Sequence, residues 1–252
     1  GNLTAATVAI GEFSLMFVLP LFLVNSLGLS TVRTGVVLAA MALGAFLSGA
    51  SARHLSAQMG AAGVVVLGLT LEVVGVGLLA WVVGAQGSTW LIVFTLVVYG
   101  IGLGLASAQL TSTVLHDIPT NQSGAGSATQ STVRQLGSAL GATIAGSALG
   151  STMNHTIPDA VASVSGAPAK VLNKLVFATE NSAGSAIPGL RNASTDAPFI
   201  RPLGDSRDAV IHSLETGFAH AAAWSIGLSS LFLLIGLLGA IMVRREARKQ
   251  VG

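Results

Sequence analysis

Long apolar runs broken by short polar ones set the frame of this chain. The runs cover residues 3–27, 35–53, 62–84, 90–115, 124–150 and 213–243. At ~1.5 Å rise per residue, about 20 helical residues cross a ~30 Å hydrocarbon core, so the pattern predicts six membrane-spanning helices. The breaks are Asn25–Thr34 with Arg33, Ser51–Gly63 with Arg53 and His54, Gly84–Thr89, and His116–Ser123, where Pro119 stops a helix. Residues 154–212 read differently. They hold five of the lysines and arginines, most of the prolines, and no run long enough to cross. Within them Lys170–Phe177 predicts a short amphipathic surface helix, and Asp205-Ser-Arg-Asp208 a helix start. The expected organisation is therefore five helices in 1–153, a connection in 154–212, and a sixth helix with a basic tail in 213–252.

Composition supports a bilayer protein. The chain is 52% hydrophobic and 9% charged, with mean hydropathy +0.76, whereas soluble domains carry roughly 25% charged residues. A net charge of +2, with no basic run interleaved with aromatics, gives no reason to expect nucleic acid. There is no cysteine, which excludes disulfides and thiolate metal sites. The five histidines show no metal spacing, and no serine or aspartate joins them in a hydrolytic set. Neither an enzyme nor a bound cofactor or metal is expected. The chain starts inside an apolar segment without a charged leader, so further sequence is expected before Gly1. Asn2, Asn121, Asn154 and Asn192 begin sequons of the kind that arise by chance in Ser/Thr-rich chains.

Short-loop charge predicts orientation. The tail Arg244–Lys249, the Arg53/His54 loop and the His116–Arg134 stretch fall on one side of a six-span topology; Arg33 alone falls on the other. By the positive-inside rule both ends face the cytoplasm and residues 154–212 lie outside.

The segment Gly124–Gly150 is helical in length but built almost wholly of small side chains. Gly137-Ser-Ala-Leu-Gly141 and Gly146-Ser-Ala-Leu-Gly150 are GxxxG patterns, whose glycines let a neighbouring backbone approach. Arg134, Gly137 and Gly141 share a face, which directs the one cation of the segment into protein or water. The alternative is a packing helix with Arg134 near the interface. Small residues followed by Thr132-x-Arg134-Gln135-x-Gly137-x-x-x-Gly141 resemble the penultimate helix of EmrB/QacA-type fourteen-helix drug:proton antiporters, a branch of the major facilitator superfamily. Arg53, Leu55 and Gly60 resemble the degenerate second-half form of that superfamily's loop motif. Ala57 and Gln58 stand where its acid and base would be, which departs from the motif.

The resemblance implies an all-α membrane protein of six transmembrane helices, like the C-terminal half of such a transporter, in the plasma (inner) membrane. It implies efflux of small amphipathic compounds in exchange for protons, with an N-terminal half as partner. A non-transporting membrane scaffold is the alternative. Glu12 lies about 14 Å into the first span by helix rise. An acid at that depth is a functional candidate. The first and fourth helices of each half line the central cavity in this superfamily, so the resemblance makes Glu12 the leading proton-coupling candidate. Glu72 shares a face with Gly68 and Gly75 on a helix that is peripheral by resemblance, which favours a structural hydrogen bond over coupling. Gln109 and Gln130 are candidates for substrate contact or for bridging helices. Tyr99, Trp81, Trp90 and Trp224 read as interfacial anchors or packing. Gly100-Ile-Gly-Leu-Gly104 follows no strand, so it is not a nucleotide loop.

Overall fold

The computed structural model describes residues 2–85, 87–115, 122–195 and 197–249; His116, Pro119 and Asn121 lie outside them. The described residues are almost wholly helical and contain no strand. Six long helices carry the architecture: α1 (Asn2–Asn25), α2 (Thr31–Met59), α3 (Ala61–Gly84), α4 (Thr89–Leu115), α5 (Ser123–Ala162) and α8 (Arg207–Lys249). Between α5 and α8 come α6 (Ala169–Asn181), α7 (Ala186–Asn192) and a 3-10 helix (Arg201–Ser206).

Two boundaries differ from the sequence expectation. The polar stretch after residue 50 is helical to Met59, and the break is made at Gly60 with φ 76° and ψ 156°, a backbone conformation that glycine adopts without a Cβ clash. The small-residue helix does not end near 153 but runs through Pro158 to Ala162. Packing holds this extension: Ile157 and Val161 are buried, and a Cβ at Gly217 of α8 would meet the Thr156 carbonyl oxygen at 2.8 Å. Arg134 therefore sits well inside α5 and is not a loop charge.

Apolarity and length alone qualify α1, α2, α3, α4 and the α8 segment to cross a membrane; α5 is long enough but too polar for that measure. Its path is set by α1. Gly137 faces Ala6, Gly141 faces Ile10, and Gly146 faces Phe17, so the two helices run parallel side by side. The approach is close: a Cβ at Gly141 would lie 2.5 Å from the Ile10 carbonyl oxygen, and one at Gly137 2.7 Å from that of Ala6. Ser14 Oγ donates to the Gly141 carbonyl at 2.9 Å. The second glycine pair does not repeat this role. Gly146 is five residues beyond Gly141, which turns it by roughly 140° around the helix, and Gly150 has nothing within 4 Å.

Helix pairing follows a two-fold plan. α1 packs on α5 and α8 as α4 packs on α2 and α3, and α3 against α8 joins the two sets. Gly100 and Gly104 bring α4 onto α2 at Met41 and Ala45, while Gly102 between them opens α4 to α3 at Gly68 and Glu72. The run Gly100–Gly104 is thus where α4 is held between two neighbours. Trp81, Trp90 and Trp224 are exposed at the end where α3 passes to α4, as an interfacial belt requires.

Residues 163–206 form a cap rather than a loose connection. Arg191 of α7 pairs with Glu215 of α8 and donates to the carbonyl oxygens of Asn25 (3.1 Å) and Ser26 (3.3 Å), at the end of α1. Asn25 Nδ2 donates to the Ala183 carbonyl at 3.0 Å. Arg207 in turn donates to the carbonyls of Leu190, Arg191 and Ala193, which close α7.

The glycine contacts predict opposite outcomes for one added methyl. Gly141→Ala should cost about 1–3 kcal/mol by overpacking against α1. Gly150→Ala should be neutral or stabilising by up to ~1 kcal/mol, because alanine favours the helix and meets nothing. Thermal unfolding of the detergent-solubilised variants measures both.

Candidate functional site

The α1–α5 register carries Arg134 to Glu12. Arg134 Nη2 lies 2.9 Å from Glu12 Oε2, an ion pair between residues 122 apart in sequence. Glu12 is 4% exposed as a residue, with Ala5, Val8, Ala9 and Leu15 around it on the buried face of α1. The pair stands on the wall of a cavity of about 700 Å³. α1 supplies Glu12, Phe13 and Met16; α4 supplies Tyr99, Leu103, Gly104 and Ser107. Ala45 of α2 and Arg134 of α5 complete the lining. The first and fourth helices therefore make most of the wall, as the resemblance implied. A space of this size suits a drug-sized molecule.

The other candidates are placed differently. Glu72 is fully buried, its Cγ faces Gly102 of α4, and it does not line the cavity. The expected structural hydrogen bond is not made: neither carboxyl oxygen has a partner among the described residues. Gln130 is buried and Gln109 half-buried; both have partners, and neither lines the cavity. Gly137 and Gly141 act through packing.

Tyr99, expected as an anchor or as packing, is fully buried in the core and also stands on the cavity wall, where its hydroxyl has no partner among the described residues. Phe13, Met16 and Ser107 were missed outright. A signal existed for Met16, four residues and one helical turn beyond Glu12, and for Ser107, one turn or so beyond Leu103 and Gly104. The wall presents an apolar surface, one ion pair, one hydroxyl and one phenol. Such a set binds and orients, and it offers no nucleophile–base arrangement.

The sequence profile of the Major Facilitator Superfamily matches residues 2–142, which include both members of the ion pair and the whole cavity lining. Among curated proteins, the chain is 30% identical over 144 residues to Riboflavin transporter RibZ of Clostridioides difficile, covering 56% of this chain and 31% of that protein. It is 25% identical over 219 residues to a Multidrug resistance protein B homolog of Mycobacterium tuberculosis, covering 86% of this chain and 38% of that one. The matches thus span about a third of the length of each relative.

Ion-pair geometry predicts the order of three variants. Arg134→Gln leaves a buried carboxylate unpaired and should cost about 2 kcal/mol, less than for a fully buried pair because the guanidinium is partly exposed. Glu12→Gln should destabilise less. The double variant, which leaves no orphaned charge, should be more stable than Arg134→Gln alone. A double-mutant cycle on unfolding temperature in detergent measures the coupling.

Proposed function

The chain belongs to the Major Facilitator Superfamily, a family of membrane transporters, and from this we propose that it forms one half of a proton-coupled exporter of small amphipathic compounds. The observation that carries the reading is the Glu12–Arg134 pair on the wall of an open cavity between α1 and α4. A titratable carboxylate held by a cation at that depth has two arrangements: paired while ionised, and released from the pair when protonated. Each favours a different relation of α1 to α5, which is what a proton needs in order to bias a two-state protein.

A second half would close the cavity from the other side. α5 supports such a partner, since its outer face exposes Thr132, Gln135, Thr143 and Ser147, groups better matched to protein or water than to lipid. Transport is then a rocking of the two halves about the midplane site. Glu12 takes and releases the exchanged proton; Arg134 sets where its carboxylate rests. Glu72, outside the cavity, is the lesser candidate. The resemblance of the matched region to a Multidrug resistance protein B homolog supports drug-like cargo. In this reading the chain sits in the plasma (inner) membrane with both ends cytoplasmic and the 163–206 cap outside.

Two measurements test the proposal. In vesicles bearing the assembled transporter, Glu12→Gln should abolish flux driven by a pH gradient and leave equilibrium substrate binding measurable, while Glu72→Gln keeps most of the flux. Normal pH-driven flux in the Glu12 variant would remove this residue from coupling. The absence of native cysteine makes topology simple to probe. Asn173→Cys on α6 and Gln58→Cys near the end of α2, both exposed, should label from opposite sides with an impermeant thiol reagent. Labelling of both from one side contradicts the orientation.

A further inference from the structure

The two ends of the Glu12–Arg134 pair are unequally accessible. The Glu12 side chain is 5% exposed and the Arg134 side chain 35%, and Glu12 Oε1 is buried without a partner among the described residues. One Nη2 N–H donates to Glu12, and the guanidinium fork carries further N–H groups that this bond does not use. A molecule entering the cavity therefore meets donors and positive charge, with the acceptor end of the pair behind them. The wall on either side is apolar, from Phe13, Met16, Leu103 and the Tyr99 ring, and Ser107 contributes one hydroxyl.

Three charge classes fare differently against this wall. A cation meets like charge, and the only carboxylate lining the cavity among the described residues is shielded by its partner. An anion competes with Glu12 for the guanidinium and strands a buried carboxylate, which is costly. A neutral molecule with acceptor atoms does neither, because it takes unused N–H groups while the pair stays intact. Resting on the exchange reading above, we propose that this half of the cavity takes neutral, flat amphipaths bearing carbonyl, ether or ring-nitrogen acceptors, in preference to organic cations. The acceptors meet Arg134, and the apolar face lies on Phe13, Met16 and Tyr99.

This class also gives exchange its sign. Glu12 anchors the guanidinium where a ligand acceptor can reach it. Protonation of Glu12 removes the anchor, so a neutral ligand loses its pre-positioned donor, and proton and ligand exclude each other. An anion would gain from the freed guanidinium, and the coupling would reverse. Of the other titratable groups, Tyr99 shares the wall from α4, and Glu72 lies on α3 outside the lining; α2 contributes only Ala45.

The test is equilibrium binding to the purified assembled transporter in lipid nanodiscs, read by fluorescence anisotropy. Three probes of similar size are used: Nile red (neutral, acceptor-bearing), ethidium (cationic) and anilinonaphthalene sulfonate (anionic). Saturable Nile red binding about tenfold tighter than ethidium is expected. The Glu12→Gln/Arg134→Gln double variant, free of orphaned charge, should weaken Nile red about fivefold or more while leaving ethidium unchanged or improved. The inference is overturned by ethidium binding as tightly as Nile red, by unchanged Nile red affinity in the double variant, by a preference for the anion, or by no saturable Nile red binding. A preference for the cation would sink this substrate class and leave the flux result untouched. Absent flux with the neutral preference intact would do the reverse.

Discussion

Glu12, held ionised in the middle of an apolar bundle, needs a counter-charge from the protein itself, and the meeting of α1 with α5 supplies it. Lipid gives helices no hydrophobic reason to associate, so close packing must do so. Gly137 and Gly141 remove the side chains that would hold α5 away, and their neighbours on α1 are backbone atoms of Ala6 and Ile10. Arg134, one turn earlier on the same face, is thereby brought against Glu12, while Ser14 fixes the register from the other side. Packing and electrostatics here are a single constraint. Anything that separates the backbones also separates the charges.

The same device recurs across the two-fold. Gly100 and Gly104 draw α4 onto α2 much as the α5 glycines draw α5 onto α1. The two helices that supply most of the cavity wall, α1 and α4, are each held by glycine contacts to a parallel neighbour. Cavity-lining side chains therefore project from helices whose positions are fixed by backbone contact.

The long runs of α1 to α4 were legible because apolar length decides them, and the role of Gly137 and Gly141 because spacing puts them on one face. What stayed hidden depends on contacts that spacing does not carry. Glu12 and Arg134 were each marked out by charge at depth, but their partnership joins residues 122 apart and needs the helix pairing. The second glycine pair looked equivalent to the first, and only the contacts told them apart: Gly146 meets just the Phe17 ring of α1 and Gly150 meets nothing, where Gly137 and Gly141 meet α1 backbone. The extension of α5 past Pro158 was invisible because proline argues against helix, and the burial of Ile157 and Val161 beside α8 outweighs it. Tyr99 was legible as packing, but that it also stands on the cavity wall depends on how α4 lies along the cavity.

The cap has a mechanical consequence. Arg191 ties α7 to the end of α1 and to α8, and Arg207 ties α7 back to the start of α8, so the cap is fastened to members of one helix group. It has no tether to α2 or α4 among the bonds described. Under the rocking proposed above, such a cap would ride as an outrigger on that helix group. It would magnify a small tilt into a larger sweep at its tip, without acting as a strap across the gap. A binder raised against the exposed Lys170 and Lys174 of α6 would then follow the tilt from outside the membrane without blocking it.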